Sequence, residues 1–116
     1  MDIKHFFTAV GGSYEQTLSR LPSEKMILKF VLKFLDDSSY SQLKQALESE
    51  DIATAFRAAH TLKGTASTLG LGDLTVAASA LTEQLRNATS LPPANSVAEV
   101  DKAYALTIES IKGLDA

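Results

Sequence analysis

The 116 residues contain no cysteine and no tryptophan, only three prolines and six glycines. Without cysteine there can be no disulfide and no thiolate for a metal, and the two histidines, His5 and His60, are too far apart in sequence to suggest a structural zinc site. Stability must come from packing. A long hydrophobic run is also missing. The most apolar stretch, Met26 to Leu35, is interrupted by Lys29 and Lys33 and falls well short of the roughly 20 residues that a membrane-spanning helix needs. Met1 to Phe7 has no basic start leading to a long apolar core and a cleavage site, so no signal peptide is expected and the cytoplasm is the expected location. Positive charge is not in excess: 11 Lys and Arg against 14 Asp and Glu give a formal net charge of -3, which argues against nucleic acid or a membrane surface as the main partner. Runs of alternating β-branched residues bounded by turns are lacking too, which excludes a sheet-based fold.

What remains is a chain with 45% apolar and 22% charged residues, enough for one globular domain over 1–116 and too short for two ordinary ones. Almost every segment has helical spacing, which predicts an all-α protein. Two short helices, 2–10 and 13–20, are separated by Gly11-Gly12, with Ser13 as N-cap of the second and Pro22 closing it. Ser23 caps the next helix. Its Met26–Leu35 stretch is too apolar to face water on one side, so Phe6, Phe7, Val10, Tyr14 and Leu18 of the short helices are expected to cover it. A kink or brief break is expected at Asp36-Asp37-Ser38-Ser39. Asp51 caps a helix with an apolar stripe of Ile52, Ala55, Phe56, Ala59, Leu62, Ala66 and Leu69, ended by Gly70. Asp73 is the expected cap of the following helix, and Leu91-Pro92-Pro93 breaks the chain before the last. The architecture predicted is an antiparallel four-helix bundle of about 23–49, 51–70, 73–89 and 96–113, with short N-terminal helices (1–22) packed on it.

One segment of this pattern carries chemistry. In Ala59-His60-Thr61-Leu62-Lys63-Gly64, the histidine lies well over 90° from the middle of the apolar stripe, so its imidazole should be reachable. Arg57, Lys63, Gly64 and Ser67 are its neighbours one or two turns away, giving two cations, one gap and one hydroxyl: an anion-accepting surface. Glycine inside a helix costs about 1 kcal/mol relative to alanine, and at Gly64 that cost leaves the surface beside the imidazole bare. A neutral imidazole is nucleophilic near pH 7, and a lysine one turn away would offset the charge of an incoming phosphoryl group. His5, among Phe6 and Phe7, has no such company and is taken as structural.

His60, Lys63 and Gly64, with Gly70 at the end of the same helix, resemble the signature of histidine-containing phosphotransfer (HPt) domains, a likeness that covers the chain from about Ser23 onward. The resemblance implies a phosphorelay carrier and not an enzyme with its own nucleotide site. His60 would take a phosphoryl group from an aspartyl phosphate on a response-regulator receiver domain and pass it to another receiver. It implies receivers as partners, with a hybrid sensor kinase as a further candidate, Mg²⁺ supplied by the receiver, no resident cofactor or metal, and a monomer. Members often place Gln or Glu on the following helix to bond the histidine or its phosphoryl group. Alignment through Gly70 puts Thr82 there, with Glu83 and Gln84 beside it, so Thr82 and Gln84 join Arg57 and Ser67 as interface candidates. The alternatives are a helical adaptor that binds a receiver without transfer, and a phosphoacceptor module of a histidine kinase. The lack of a long linker or second domain after residue 113 favours the free-standing carrier.

Overall fold

The structure, a computed structural model, describes residues 1–115. Among them every regular element is helical: α1 (Ile3–Ala9), α2 (Tyr14–Arg20), α3 (Glu24–Lys33), α4 (Ser39–Glu48), α5 (Ile52–Thr68), α6 (Gly72–Leu85) and α7 (Ala94–Lys112), with a 3-10 turn at Phe34–Asp36. No helix is long and apolar enough to cross a membrane.

Side-chain caps set most of the helix starts. Asp2, Ser13, Ser23 and Asp51 each accept a hydrogen bond from the backbone N–H three residues on, satisfying a donor that the first turn cannot. The expected helix over 23–49 is two helices. After the 3-10 turn Asp37 adopts an extended conformation, and its carboxylate accepts from the Ser39 N–H at 2.8 Å, which restarts the helix as α4. The ends of α5 were legible. At its C-terminus Gly70 is left-handed (φ +73), its N–H donates to the Ser67 carbonyl at 3.2 Å, and the Leu71 N–H donates to that of Ala66 at 2.9 Å.

Asp73 is not the cap of α6. The helix begins at Gly72, Leu71 occupies the cap position without a side-chain bond, and the Asp73 N–H donates instead to the Val10 carbonyl at 2.9 Å. Residue 89 lies outside this helix, because Arg86 is extended and Asn87 left-handed (φ 56). The last helix starts at Ala94 rather than 96, directly after Pro93.

α4 packs on α5, α5 on α6 and α6 on α7. The Tyr40 ring stacks on Tyr104 at 3.8 Å and its hydroxyl donates to Asp101 at 2.6 Å, while Lys44 reaches both oxygens of that carboxylate at 2.9 Å. These contacts join α4 to α7. Every helix contributes to or packs against one hydrophobic core. α5 gives it Ala55, Ala58, Ala59, Leu62 and Ala66, a face whose small side chains let the neighbouring helices approach closely. Ile52 and Phe56, expected inside, are only half-buried, and Ala58 takes an inward place instead.

The N-terminal helices cover the rest. Phe6, Phe7 and Val10 are buried, with Phe6 and Phe7 edge to face at 5.3 Å. Leu18 does not join them and stays 38% exposed, since α2 turns Thr17 inward. The α1–α2 loop fits against the α5–α6 turn through glycines: a Cβ at Gly12 would overlap the Gly70 carbonyl, and one at Gly72 would overlap that of Gly11. Backbone meets backbone there, with no room for a side chain.

Candidate functional site

α5 carries His60 on its water-facing side. The buried residues of α5 centre on the Ala55–Leu62–Ala66 line, and at about 100° per residue His60 sits roughly 150° round from it, further toward solvent than the sequence alone suggested. The side chain is exposed, and among the described residues no hydrogen bond is made to either ring nitrogen. Both nitrogens are therefore open to an incoming group. Gly64, one turn on, is also exposed, and an added Cβ would meet nothing within 4 Å. No neighbouring helix requires glycine there, so packing does not account for it. The gap opens toward a surface groove of about 600 Å³ lined by Leu21, Phe30, Lys33, Phe34, Asp37, Thr61, Gly64, Thr65, Thr68 and Leu69. Lys63, half-buried, lies on the flank of α5 that faces α6.

The other residues singled out in the sequence divide. Arg57 lines a shallow hollow with Phe56, His60 and Thr61, but its guanidinium donates to Thr54 Oγ1 at 3.2 Å, a turn back toward the start of α5. Ser67 is exposed two turns from His60, and its carbonyl accepts from Arg20 at 3.1 Å.

Thr82 is corrected outright. It is fully buried, and its hydroxyl donates to the Ala78 carbonyl at 2.6 Å, so it has neither the exposure nor a free donor for a group on His60. Gln84 is exposed but on the wrong side. It follows Ala77 and Ala80 by seven and four residues, and those two line a groove against α7, so Gln84 lies on the flank toward α7.

In their place stand Phe56, which the sequence assigned only to the apolar stripe, Glu83, noted only as a neighbour of Thr82, and Arg86, which it did not mark at all. The Phe56 ring meets the His60 imidazole edge to face at 6.1 Å. The Arg86 guanidinium lies over the Phe56 ring, 5.0 Å from its centre. Glu83 holds Arg86 through two bonds, at 3.1 and 3.2 Å. The Arg86 bonds and charge hold the Glu83 carboxyl below its usual range, outweighing desolvation, which pushes it up, and weaker downward pulls come from Lys63 and His60. Two signals for this cluster were present: an aromatic one turn before the histidine, and an acid-base pair three residues apart.

In this all-helical protein an unbonded imidazole stands on an open helix face, with a lysine and a gap one turn away, and is not enclosed in a pocket. The Hpt domain family model matches residues 33–111, which is more than half of the chain and includes His60, Lys63 and Gly64, and the chain belongs to that family. Hpt domains are phosphocarriers of two-component signalling that interact with receiver domains. Comparison with curated proteins and with solved structures returned no match.

Proposed function

We propose that this protein is a phosphorelay carrier in which His60 takes a phosphoryl group from the aspartyl phosphate of one receiver domain and hands it to the aspartate of another. The observation that carries the reading is the open imidazole beside Gly64: a nucleophile whose ring nitrogens are unbonded, next to a surface where nothing stands within 4 Å of a missing side chain. The lone pair of a ring nitrogen attacks phosphorus, the N–P bond forms, and the P–O bond to the aspartyl carboxylate breaks with its electrons leaving on that carboxylate. The reverse sequence unloads the carrier. Lys63 offsets the negative charge on the transferring group, which is electrostatic positioning and not bond making. Mg²⁺ comes with the receiver's own acidic site.

The groove next to Gly64 supports a docking role for its wall. Phe30 and Leu21 give it apolar surface, while Lys33 and Asp37 give it one charge of each sign, a pattern that selects among similarly shaped partners. In this reading the core helices form an antiparallel four-helix bundle, the chain is a single domain, and the carrier works in the cytoplasm as a monomer, since the His60 face must stay free for partners. The deciding experiment is transfer from a phosphorylated receiver to wild type and to His60→Gln. Labelling of the wild type alone, with an acid-labile and alkali-stable product, is the expected result. Labelling of both, or of neither across a broad receiver panel, refutes the carrier and leaves an adaptor.

A further inference from the structure

The imidazole of His60 has no polar anchor. No hydrogen bond to it occurs among the described residues, and the position on α6 aligned for that purpose holds a buried threonine committed to the Ala78 carbonyl. A side chain on an open helix face with no tether samples several rotamers, and only the fraction with a ring nitrogen aimed outward can attack in line. Something else must narrow that distribution if His60 is to react efficiently.

We infer that Phe56 is the positioning residue of His60, and that α6 holds it there through the Arg86–Glu83 pair. This deepens the reading of His60 as the acceptor and rests on it. The geometry forms one chain across two helices. The Phe56 and His60 rings meet edge to face at 6.1 Å and 70°, within the range in which aromatic rings attract through their opposed edge and face charges. The Phe56 ring is held in turn, because a guanidinium at 5.0 Å lies over its face and two hydrogen bonds to Glu83 fix that guanidinium. Phe56 is half-buried and Glu83 and Arg86 are exposed, so the chain runs from the edge of the core to the surface. Each link alone is weak. Together they replace a hydrogen bond to the imidazole with a steric and electrostatic fence on one side of the ring, leaving the Gly64 side open for the phosphoryl group.

The test uses the whole chain, with phosphoramidate as a small donor whose P–N bond breaks, releasing ammonia, as the N–P bond to His60 forms. NMR of the same samples follows the contacts between the Phe56 and His60 ring protons. Phe56→Leu is expected to erase the fixed ring orientation and slow labelling on the order of ten-fold. The loss should be similar with phosphoramidate and with a receiver as donor, which separates positioning from docking. Phe56→Tyr, which keeps the aromatic edge, should keep the rate. Arg86→Gln lies on the exposed surface and carries the test if Phe56→Leu fails to fold; it should loosen the His60 ring contacts and slow labelling by a smaller factor. An unchanged rate in folded Phe56→Leu, or unchanged ring contacts and rate in Arg86→Gln, overturns the inference. His60→Gln runs alongside: if it is labelled like the wild type, the acceptor assignment fails, while the ring contacts still decide whether Phe56 orients the imidazole.

Discussion

A methyl group added at Gly64 would touch nothing within 4 Å, so alanine there removes the backbone-entropy cost of glycine without meeting a neighbour. Gly64→Ala should raise the unfolding free energy by up to about 1 kcal/mol in urea titration. Transfer should move the opposite way, falling through the series Gly64→Ala, Gly64→Val and Gly64→Gln as the side chain fills the approach to His60. A series that gains stability and keeps full transfer from a receiver would remove Gly64 from the site. The exposure of His60 and Gly64 on one side of α5, with half-buried Lys63 on the flank beside them, was legible because all three lie on one helix, where spacing alone fixes their relation. Thr82, Gln84 and the Phe56–Arg86–Glu83 chain were not. Their relation to His60 depends on how α6 is rotated against α5, and a threonine that bonds the carbonyl four residues back can be buried without any sign of it in the sequence.

The turns at the two ends of α5 share one hydrogen-bond pattern and differ in the residue that makes it. After α4 the Asp51 N–H donates to the Ala46 carbonyl at 2.9 Å, as the Leu71 N–H donates to that of Ala66, and the residue before each donor is left-handed: Glu50 (φ 55) and Gly70 (φ +73). Gly70 was legible as a helix stop, whereas Glu50 carries no signal, since the sequence places there a residue that pays a steric cost for the conformation. Glu50→Gly should relieve that strain and stabilise the fold by about 1 kcal/mol, read as a higher urea midpoint with an unchanged slope. At Gly70 any side chain is strained, and a Cβ would also overlap the Thr17 hydroxyl, so Gly70→Ala should lower the midpoint. The division between α3 and α4 was legible only as a weak spot, because the composition at 36–39 permits a kink as readily as the break that the Asp37 side chain completes.

Over the whole molecule, several sets of contacts tie segments that are distant in sequence, among them two that bear on stability and assembly. One is the α4–α7 network. Burial pushes the Asp101 carboxyl up, but the bonds from Tyr40 and Lys44 and the lysine charge outweigh burial and hold it below its ordinary 3.8. A carboxyl held low in the folded state adds stability above its unfolded value and loses that contribution as pH falls through the folded one. Asp101→Asn should therefore lower the melting temperature at pH 7, and the gap from wild type should close below pH 3.8. A gap that is constant with pH would show that the carboxylate charge plays no part. The other set is the glycine contact between the α1–α2 loop and the α5–α6 turn, and it bears on how the chain comes together. Helices α4 to α7 form contacts mostly between neighbours in sequence, which close fast, whereas residues 11–12 have no surface to meet until 70–72 have turned. On a ribosome residues 11–12 are thus made well before the turn they settle against. Phe6, Phe7 and Val10 lack that cover until residues 70–72 have been synthesised, an interval in which this chain is exposed to aggregation or to capture by a chaperone.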